Sequence, residues 1–315
     1  MELCDVAINI FGKPYQTALS LLSLLRYSSQ HISTIWLQFE PVGSSFDETS
    51  PYAIAYYLKQ ELKKPCQIFQ PELWFDCDAP ELSRLNDPTY RHGLRYTYAF
   101  ENSNCRLLFL THNDVLFHKD LLGELITKLG TAFAIGHLGQ CWNCPASLPN
   151  LTKQVLGREA CKPTNYLDFH LNASELKALY AEGLRQKILR RNYGESYADE
   201  TGSVWPLPEC RVNEWACLID LEKTRPLTLP EGEVLPIGVY LPCGRHNLDI
   251  GVAWFRGMHK LGLHAKHYPC NSYLTHWVGT GHKSKLRYLQ GEDRAKKILS
   301  KHFPEYLAWL AANKS

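Results

Sequence analysis

The sequence predicts an α/β fold in which helices flank a mostly parallel central sheet. Apolar runs over 5–11 and 32–40 flank a segment, 14–30, in which leucines recur at helical spacing. A strand, a helix and a second strand within about forty residues form a βαβ unit, whose two strands are parallel. The run 107–110 is uniformly apolar, which is typical of a central strand covered on both faces.

The remaining elements follow from the same patterns. Helices are predicted over 50–64, 87–103, 121–130, 171–191, 246–263 and 293–314, and Gly93 is predicted to interrupt the second of them. Strands are predicted over 66–70, 106–114, 132–139, 209–223 and 264–269. Asn172 with Glu175 three positions on predicts a capped helix start, and Pro304 predicts a break in the last helix. Because no linker interrupts the chain, 1–138 and 139–315 are predicted as two halves of one domain.

Composition excludes several classes of protein. The chain has 315 residues, 45% hydrophobic content, 21% charged residues and a formal net charge of +2. This balance argues against a nucleic-acid binder and against long disorder. No apolar run approaches the roughly 20 residues of a membrane span, and the first residues lack a signal-peptide pattern. We therefore expect a cytoplasmic protein with at most peripheral contact at the inner face of a membrane.

A polar cluster ends the predicted central strand. Residues 111–114 read Thr-His-Asn-Asp and separate two apolar runs. Ligands of open parallel sheets bind at the carboxyl ends of the strands. Asp114 there is suited to hold a divalent cation, Mn²⁺ or Mg²⁺, which would in turn hold a phosphate. The alternative is that Asn113 and Asp114 form an ordinary turn.

Two segments of the first half are INIFGKPYQTALSLLSLL and RHGLRYTYAFENSNCRLLFLTHNDVLFHKDLL. They resemble inverting, family-2-like nucleotide-sugar glycosyltransferases of the GT-A (Rossmann-like) fold, and HNDV stands where many members carry a variant of Asp-x-Asp. The likeness covers roughly the first 140 residues. It implies an irregular acceptor-side second half and transfer of a sugar from a nucleotide-diphosphate donor, with UDP-sugar favoured. The implied acceptor is a glycan or lipid-linked glycan in surface polysaccharide synthesis.

The resemblance also implies a set of donor-binding residues. Asn9, Ile10 and Phe11 would line the base pocket with Glu40, and Arg91 would face it from a helix. Asn113 and Asp114 would lie at the diphosphate. The alternatives are that Arg91 is a helix surface charge and Phe11 a core residue.

The first acid of the Asp-x-Asp motif is missing, so Asp114 needs another metal ligand. The segment YLTHWVGTGHKSK supplies His276 and His282, and it resembles the His-x-x-Gly-x-x-Lys tail of retaining GT-A enzymes. His276 is the preferred ligand, and His112 is a second way to replace the missing acid. Chance placement is the competing explanation for a chain with 13 histidines. The cations that follow are alternative contacts for the diphosphate: Lys283, Lys285 and Arg287.

Asp249 is the predicted catalytic base of an inverting reaction, because inverting enzymes use a late carboxylate that accepts the acceptor's proton. Glu214 is the second candidate, and a helix N-terminal role is the alternative for Asp249. The candidates for stacking on sugars, each with a core role as alternative, are Trp215, Trp254 and Trp277. A retaining transferase, a nucleotidyltransferase and a non-catalytic glycan- or nucleotide-binding relative remain open.

A cysteine cluster in the second half is the last motif. Cys141, Cys144 and Cys161 lie in a Pro-rich stretch, with Cys210 or His170 as a fourth residue, and predict a structural Zn²⁺ site. The alternative is a set of buried, reduced thiols.

Overall fold

A computed structural model describes residues 2–41, 45–139, 144–190, 192–193, 197–198, 202–277 and 284–313. The strands are β1 Cys4–Ile10, β2 Ile32–Phe39, β3 Cys66–Phe69, β4 Leu107–His112, β5 Val115–Phe117, β6 Ala134–Leu138, β7 Val212–Asp220, β8 Leu241–Cys243, β9 His246–Leu248, β10 Ala265–His267 and β11 Leu274–His276. The helices are α1 Pro14–Ser28, α2 Ala53–Gln60, α3 Pro88–Arg91, α4 Thr97–Asn102, α5 Leu121–Leu129, α6 Pro149–Leu156, α7 Ala173–Arg185, α8 Leu221–Thr224, α9 Val252–Lys260, α10 Lys285–His302 and α11 Pro304–Ala312.

A seven-stranded sheet in the order β10-β6-β7-β4-β1-β2-β3 forms the centre of the molecule. Only β7 runs antiparallel to its neighbours, so the prediction of a mostly parallel sheet flanked by helices is confirmed. β4 lies in the middle of the sheet, and its apolar residues 107–110 are fully buried, as predicted. The second half of the chain contributes β7 and β10 to the same sheet.

The turn from β1 into α1 is tight. Gly12 and Lys13 both have positive φ angles, 55° and 52°, and Pro14 occupies the first turn of α1. Proline suits this position because its fixed φ is helical and it has no N–H to satisfy. The turn lies at the carboxyl end of the sheet, beside the end of β4.

The second apolar run after the central strand forms β5, which leaves the main sheet. It pairs in antiparallel register with β11, so that Val115 faces His276. The backbone N–H of Trp277 also donates to the carbonyl of Asp114 at 3.0 Å. This small sheet therefore carries a late segment of the chain back to the end of β4.

Helix α10 packs against α1 and provides hydrogen-bond acceptors for the first turn of α1. The carboxylate of Glu292 accepts hydrogen bonds from the backbone N–H of Tyr15 at 2.9 Å and of Gln16 at 3.0 Å. Burial raises the pKa of Glu292 to about 6, although these two N–H groups and the Gln16 side chain oppose the shift. Within the described ranges, no helix combines the length and apolarity that a membrane crossing requires.

Four predictions of local structure can be compared with the helices and strands of the structure. The capping box of Asn172 and Glu175 and the break before Pro304 are confirmed. The predicted interruption at Gly93 is confirmed, because the segment 87–103 forms the two short helices α3 and α4. A Cβ atom at Gly93 would lie 2.7 Å from the carbonyl of Leu73. The predicted helix 246–263 begins only at Val252, because its first residues form the β8–β9 hairpin.

Replacement of Glu292 tests the role of α10. In Glu292→Ala, two N–H groups at the start of α1 lose their acceptor, so we expect the free energy of unfolding to fall by about 2–4 kcal/mol. Urea denaturation measures the change. The control is Asp293→Ala, which removes only an exposed pair with Lys297 and should cost less than about 0.5 kcal/mol. Equal losses in the two variants would contradict the capping role.

Candidate metal and donor site

The candidate site is built around Asp114, just beyond the carboxyl end of the central strand. Two histidines face one oxygen of its carboxylate. His276 Nε2 lies 3.2 Å from Asp114 Oδ1, and His112 Nδ1 lies 3.8 Å from the same atom. His112 Nδ1 and His276 Nε2 are 3.4 Å apart. Among the described residues, these three form the only metal-competent group of at least three His, Cys, Asp or Glu side chains.

These separations fit a single bound cation. Two ligand atoms each about 2.1 Å from one ion are about 3.0 Å apart at a right angle and about 3.4 Å apart at the tetrahedral angle. The three observed distances, 3.2, 3.4 and 3.8 Å, leave space for such an ion between the atoms. Two imidazoles with one carboxylate suit Mn²⁺ or a softer transition metal better than Mg²⁺, which prefers oxygen ligands.

Lys13 contacts the other oxygen of the same carboxylate. Its Nζ lies 3.0 Å from Asp114 Oδ2, and the two side chains are 10% and 11% exposed. Burial alone would raise the pKa of Asp114, but Lys13 and the two histidines outweigh it and hold the pKa well below its usual range. Asp114 is therefore ionised and available as a metal ligand.

A second charged group lies beside the first. His112 Nε2 is 3.6 Å from Glu214 Oε1, and Glu214 Oε2 is 3.3 Å from Arg211 Nη2. The same nitrogen of Arg211 donates to Asp249 Oδ2 at 2.9 Å. Burial raises the pKa of Glu214, but Arg211 and then His112 lower it to about 2. Arg211, which the sequence patterns did not single out, thus links both predicted base candidates.

His112, His276, Glu214 and Asp249 line one cavity of about 660 Å³. This volume is within the range of small-molecule sites in proteins, about 300–1,000 Å³. The residues that line it come from seven parts of the fold: Arg95, His112, His137, Gly139, Asn213, Glu214, Trp215, Tyr240, Asp249, Asn271, Leu274, Thr275 and His276. The structure therefore brings Asp249 and Glu214 together with two of the metal-competent side chains.

The predicted donor residues on β1 and β2 have mixed positions. Asn9 and Glu40 are buried at the ends of their strands, where Asn9 Oδ1 accepts from the backbone N–H of Tyr96 at 3.3 Å. Phe11 is half-buried. The side chain of Ile10 is only 1% exposed and packs in the core, so a base contact by this side chain is not supported.

Arg91 is not brought to the cavity. Its guanidinium is buried and held by the carboxylate of Glu101 and by the carbonyl of Leu85 at 2.6 Å. Arg95 lines the cavity instead, and its Nη2 lies 3.3 Å from Glu40 Oε1. Despite this cation, burial raises the pKa of Glu40 to about 7. The broken helix explains the difference, since a turn at Gly93 changes which side chains share a face.

Asn113 is turned away from the histidines. Its side-chain N–H₂ donates to the hydroxyl of Thr17 at 3.2 Å and to the carbonyl of Gly12 at 3.4 Å. It therefore ties the end of β4 to the first turn of α1, and a direct donor contact stays a prediction. Asp249 lies in the turn between β9 and α9, three residues before the helix begins.

The three tryptophans differ in position. Trp215 lines the cavity and stacks on the imidazole of His276, with ring centroids 5.4 Å apart. Trp254 is fully buried and donates to the hydroxyl of Thr228, so its core alternative is correct. Trp277 is also buried, with Arg294 over its ring. Of the three, Trp215 alone lines the cavity.

Two predicted ligands, His282 and Cys141, lie outside the described residues, as does Lys283. Cys144, Cys161 and Cys210 are buried, and Cys161 forms a hydrogen bond with Cys210 that lowers the pKa of Cys161. The described cysteines do not form a group with metal-ligand spacing. The predicted structural zinc site is therefore not supported.

Comparison with known proteins gives structural matches alone. No family model and no curated protein sequence matches this chain. The fold aligns with mannosyltransferase PcManGT from Pyrobaculum calidifontis in complex with GDP-Man and Mn²⁺, at 10% identity and a TM-score of 0.42, over 84% of this chain and 54% of that one. This chain thus spans about half the length of that enzyme.

Two further solved structures are also glycosyltransferases. Mouse xyloside xylosyltransferase 1, apo form, aligns at 13% identity and a TM-score of 0.37, over 86% of each chain. Core-mannan synthase A from Aspergillus fumigatus, in its Mn/GDP form, aligns at 10% identity and a TM-score of 0.37, over 83% of this chain and 65% of that one. At such identities and TM-scores, these likenesses do not establish the activity of this chain.

Removal of either histidine tests the metal group. In His276→Ala and His112→Ala, a cation loses one of its three protein ligands, so we expect the affinity for Mn²⁺ to fall at least about tenfold. Titration of Mn²⁺ followed by EPR measures the affinity, and parallel titrations with Mg²⁺ and Zn²⁺ identify the preferred ion. The control is His118→Ala, since His118 is exposed and bonds to Thr275. Equal Mn²⁺ affinity in all four proteins would contradict the assignment.

Proposed function

We propose that this protein is a glycosyltransferase that transfers a sugar from a nucleotide-diphosphate donor to a glycan or lipid-linked glycan acceptor. The observation that carries the proposal is the group of His112, Asp114 and His276 at the carboxyl end of the central strand. Both histidines of this group line the same cavity as Asp249. A cation site and a carboxylate in one cavity are what transfer from a diphosphate leaving group to a hydroxyl requires.

The cation is proposed to be held by Asp114, His112 and His276. When bound, it would supply positive charge that neutralises the diphosphate as it leaves the sugar. Mn²⁺ is preferred over Mg²⁺ because two of the three ligand atoms are imidazole nitrogens. The carboxylate of Glu214 lies 3.6 Å from His112 Nε2, the ring nitrogen that does not face Asp114. Glu214 would therefore orient the imidazole of His112 toward the cation.

Asp249 is the better of the two candidates for the base. Its side chain is 34% exposed, whereas that of Glu214 is 12% exposed. Glu214 has a pKa of about 2, set by burial and, in the opposite direction, by Arg211 and His112, which makes it a weak proton acceptor. Asp249 would accept the proton of the acceptor hydroxyl, with Arg211 holding its orientation through Oδ2. Such a base supports an inverting reaction.

The proposed contact with the nucleotide base is made at the end of β2. Glu40 is buried at the end of β2 and forms an ion pair with the half-buried Arg95, and this pair would contact the nucleotide base. The preference for UDP, the division into a donor half over 1–138 and an acceptor half over 139–315, and a role in surface polysaccharide synthesis at the inner face of the membrane stay predictions.

Transfer and hydrolysis assays with UDP-, GDP- and CMP-sugars, with and without Mn²⁺, test this function. We expect one donor class to be consumed only in the presence of the divalent ion. Asp114→Ala should lose this metal-dependent turnover, because it removes the carboxylate ligand. Failure of every donor with both Mn²⁺ and Mg²⁺ would exclude the proposed activity.

Replacement of Asp249 tests the base. In Asp249→Asn, no carboxylate remains at this position to take the proton from the hydroxyl of the acceptor substrate, while the donor site stays intact. We therefore expect kcat for transfer to fall by about 10²- to 10⁴-fold with little change in donor affinity. The control is Asp168→Asn, since Asp168 is exposed and does not line the cavity. An unchanged rate in Asp249→Asn would remove this residue from the mechanism.

A further inference from the structure

Lys13 is a buried cation of the candidate site that the sequence patterns did not single out. Its Nζ lies 3.0 Å from Asp114 Oδ2, and its side chain is 10% exposed. The histidines face the opposite oxygen, Oδ1, at 3.2 and 3.8 Å. The ammonium and a cation held by the histidines would therefore share one carboxylate.

The backbone of Lys13 is held in an uncommon conformation. Its φ of 52° lies in the left-handed region, which is unfavourable for a residue with a Cβ atom. Its N–H donates to the hydroxyl of Tyr288 at 2.6 Å and to Asp47 Oδ1 at 3.3 Å. Its carbonyl accepts from the backbone N–H of Thr17 at 2.8 Å. Contacts from three parts of the chain thus fix the position from which the ammonium reaches Asp114.

The charges around Asp114 do not balance once a divalent cation is added. Lys13 and Asp114 together are neutral, and the group of Glu214, Arg211 and Asp249 beyond His112 adds one negative charge. A bound divalent ion therefore leaves an excess of positive charge beside Lys13. In a buried site such an excess is unfavourable unless an anion joins it. The diphosphate of a nucleotide sugar is negatively charged and therefore offsets this excess, and a lysine ammonium is a common phosphate ligand.

We infer that Lys13 binds the diphosphate of the nucleotide donor, and that before the donor arrives its ammonium opposes cation binding at Asp114. This inference rests on the proposed function. It makes the ion and the nucleotide mutually dependent, because each compensates the charge that the other brings. By linkage, the diphosphate then raises the affinity for the ion by the same factor as the ion raises the affinity for the diphosphate.

The variant Lys13→Met tests both roles of Lys13, because the affinities for Mn²⁺ and for the nucleotide should change in opposite directions. Removal of the ammonium should tighten Mn²⁺ binding to the nucleotide-free protein about tenfold, because a like charge near the ion is lost. It should weaken binding of UDP or GDP at saturating Mn²⁺ by about 10- to 100-fold, because a charged hydrogen bond is lost. EPR titration measures the first affinity and calorimetry measures the second.

The matched control is Lys63→Met. Lys63 also has a left-handed backbone, with a φ of 48°, but it is exposed and lies after α2, away from the carboxyl end of the sheet. Both of its affinities should equal those of the wild type. If Lys13→Met does not fold, Lys13→Asn replaces it, because asparagine tolerates the left-handed conformation and carries no charge.

Nucleotide affinity within twofold of the wild type in the variant would overturn the role of Lys13 while leaving the proposed function intact. Weaker binding of both Mn²⁺ and nucleotide would also overturn it, since a purely structural lysine gives that result. A wild-type protein that binds Mn²⁺ but none of UDP, GDP and CMP would instead overturn the proposed function, and the inference with it.

Discussion

The buried carboxylate of Asp114 is the group on which the rest of the site depends. An ionised carboxylate that leaves water must be paired, and this one is paired on both of its oxygens. Lys13 neutralises one oxygen, and His276 and His112 face the other. Because Lys13, His112 and His276 are far apart in the sequence, the site requires the pairing of β1 with β4 and of β5 with β11.

A different part of the fold positions each of these three side chains next to Asp114. The left-handed turn after β1 places Lys13, and the end of β4 places His112 together with Asp114. The pairing of β5 with β11 returns the late segment to Asp114 and places His276. A second charged group follows the same logic, since the buried guanidinium of Arg211 holds Glu214 and Asp249 together. The proposed cation ligands and the proposed base therefore meet at Glu214 and His112.

Local sequence patterns predicted the part of the fold that local forces determine. Hydrophobic periodicity identified the βαβ unit and the central strand, and the polar residues after β4 located the site. The pattern around residues 246–251 predicted a helix, but pairing with β8 favours a strand there, and periodicity does not detect pairing partners. Arg95 lines the cavity where the resemblance implied Arg91, because the chain turns at Gly93 between these two residues.

Side chains whose roles arise from tertiary contacts could not be predicted in the same way. His276 was found because a motif accompanied it, whereas Lys13 and Arg211 have no motif and are recognisable only by what lies beside them. One sequence signal does indicate the position of Lys13. It directly precedes Pro14, in the turn that follows the first strand. Trp254 could not be told from a sugar-stacking residue by sequence, because burial depends on the packing of α9 against the sheet.

Anomalous diffraction from crystals soaked in Mn²⁺ and a nucleoside diphosphate tests the central claim most directly. We predict one strong manganese peak, about 2.0–2.3 Å from Asp114 Oδ1, His112 Nδ1 and His276 Nε2, with the diphosphate between the ion and Lys13 Nζ. A peak that is absent from these three atoms, with Asp114 still paired to Lys13 and the nucleotide bound elsewhere, would contradict the account.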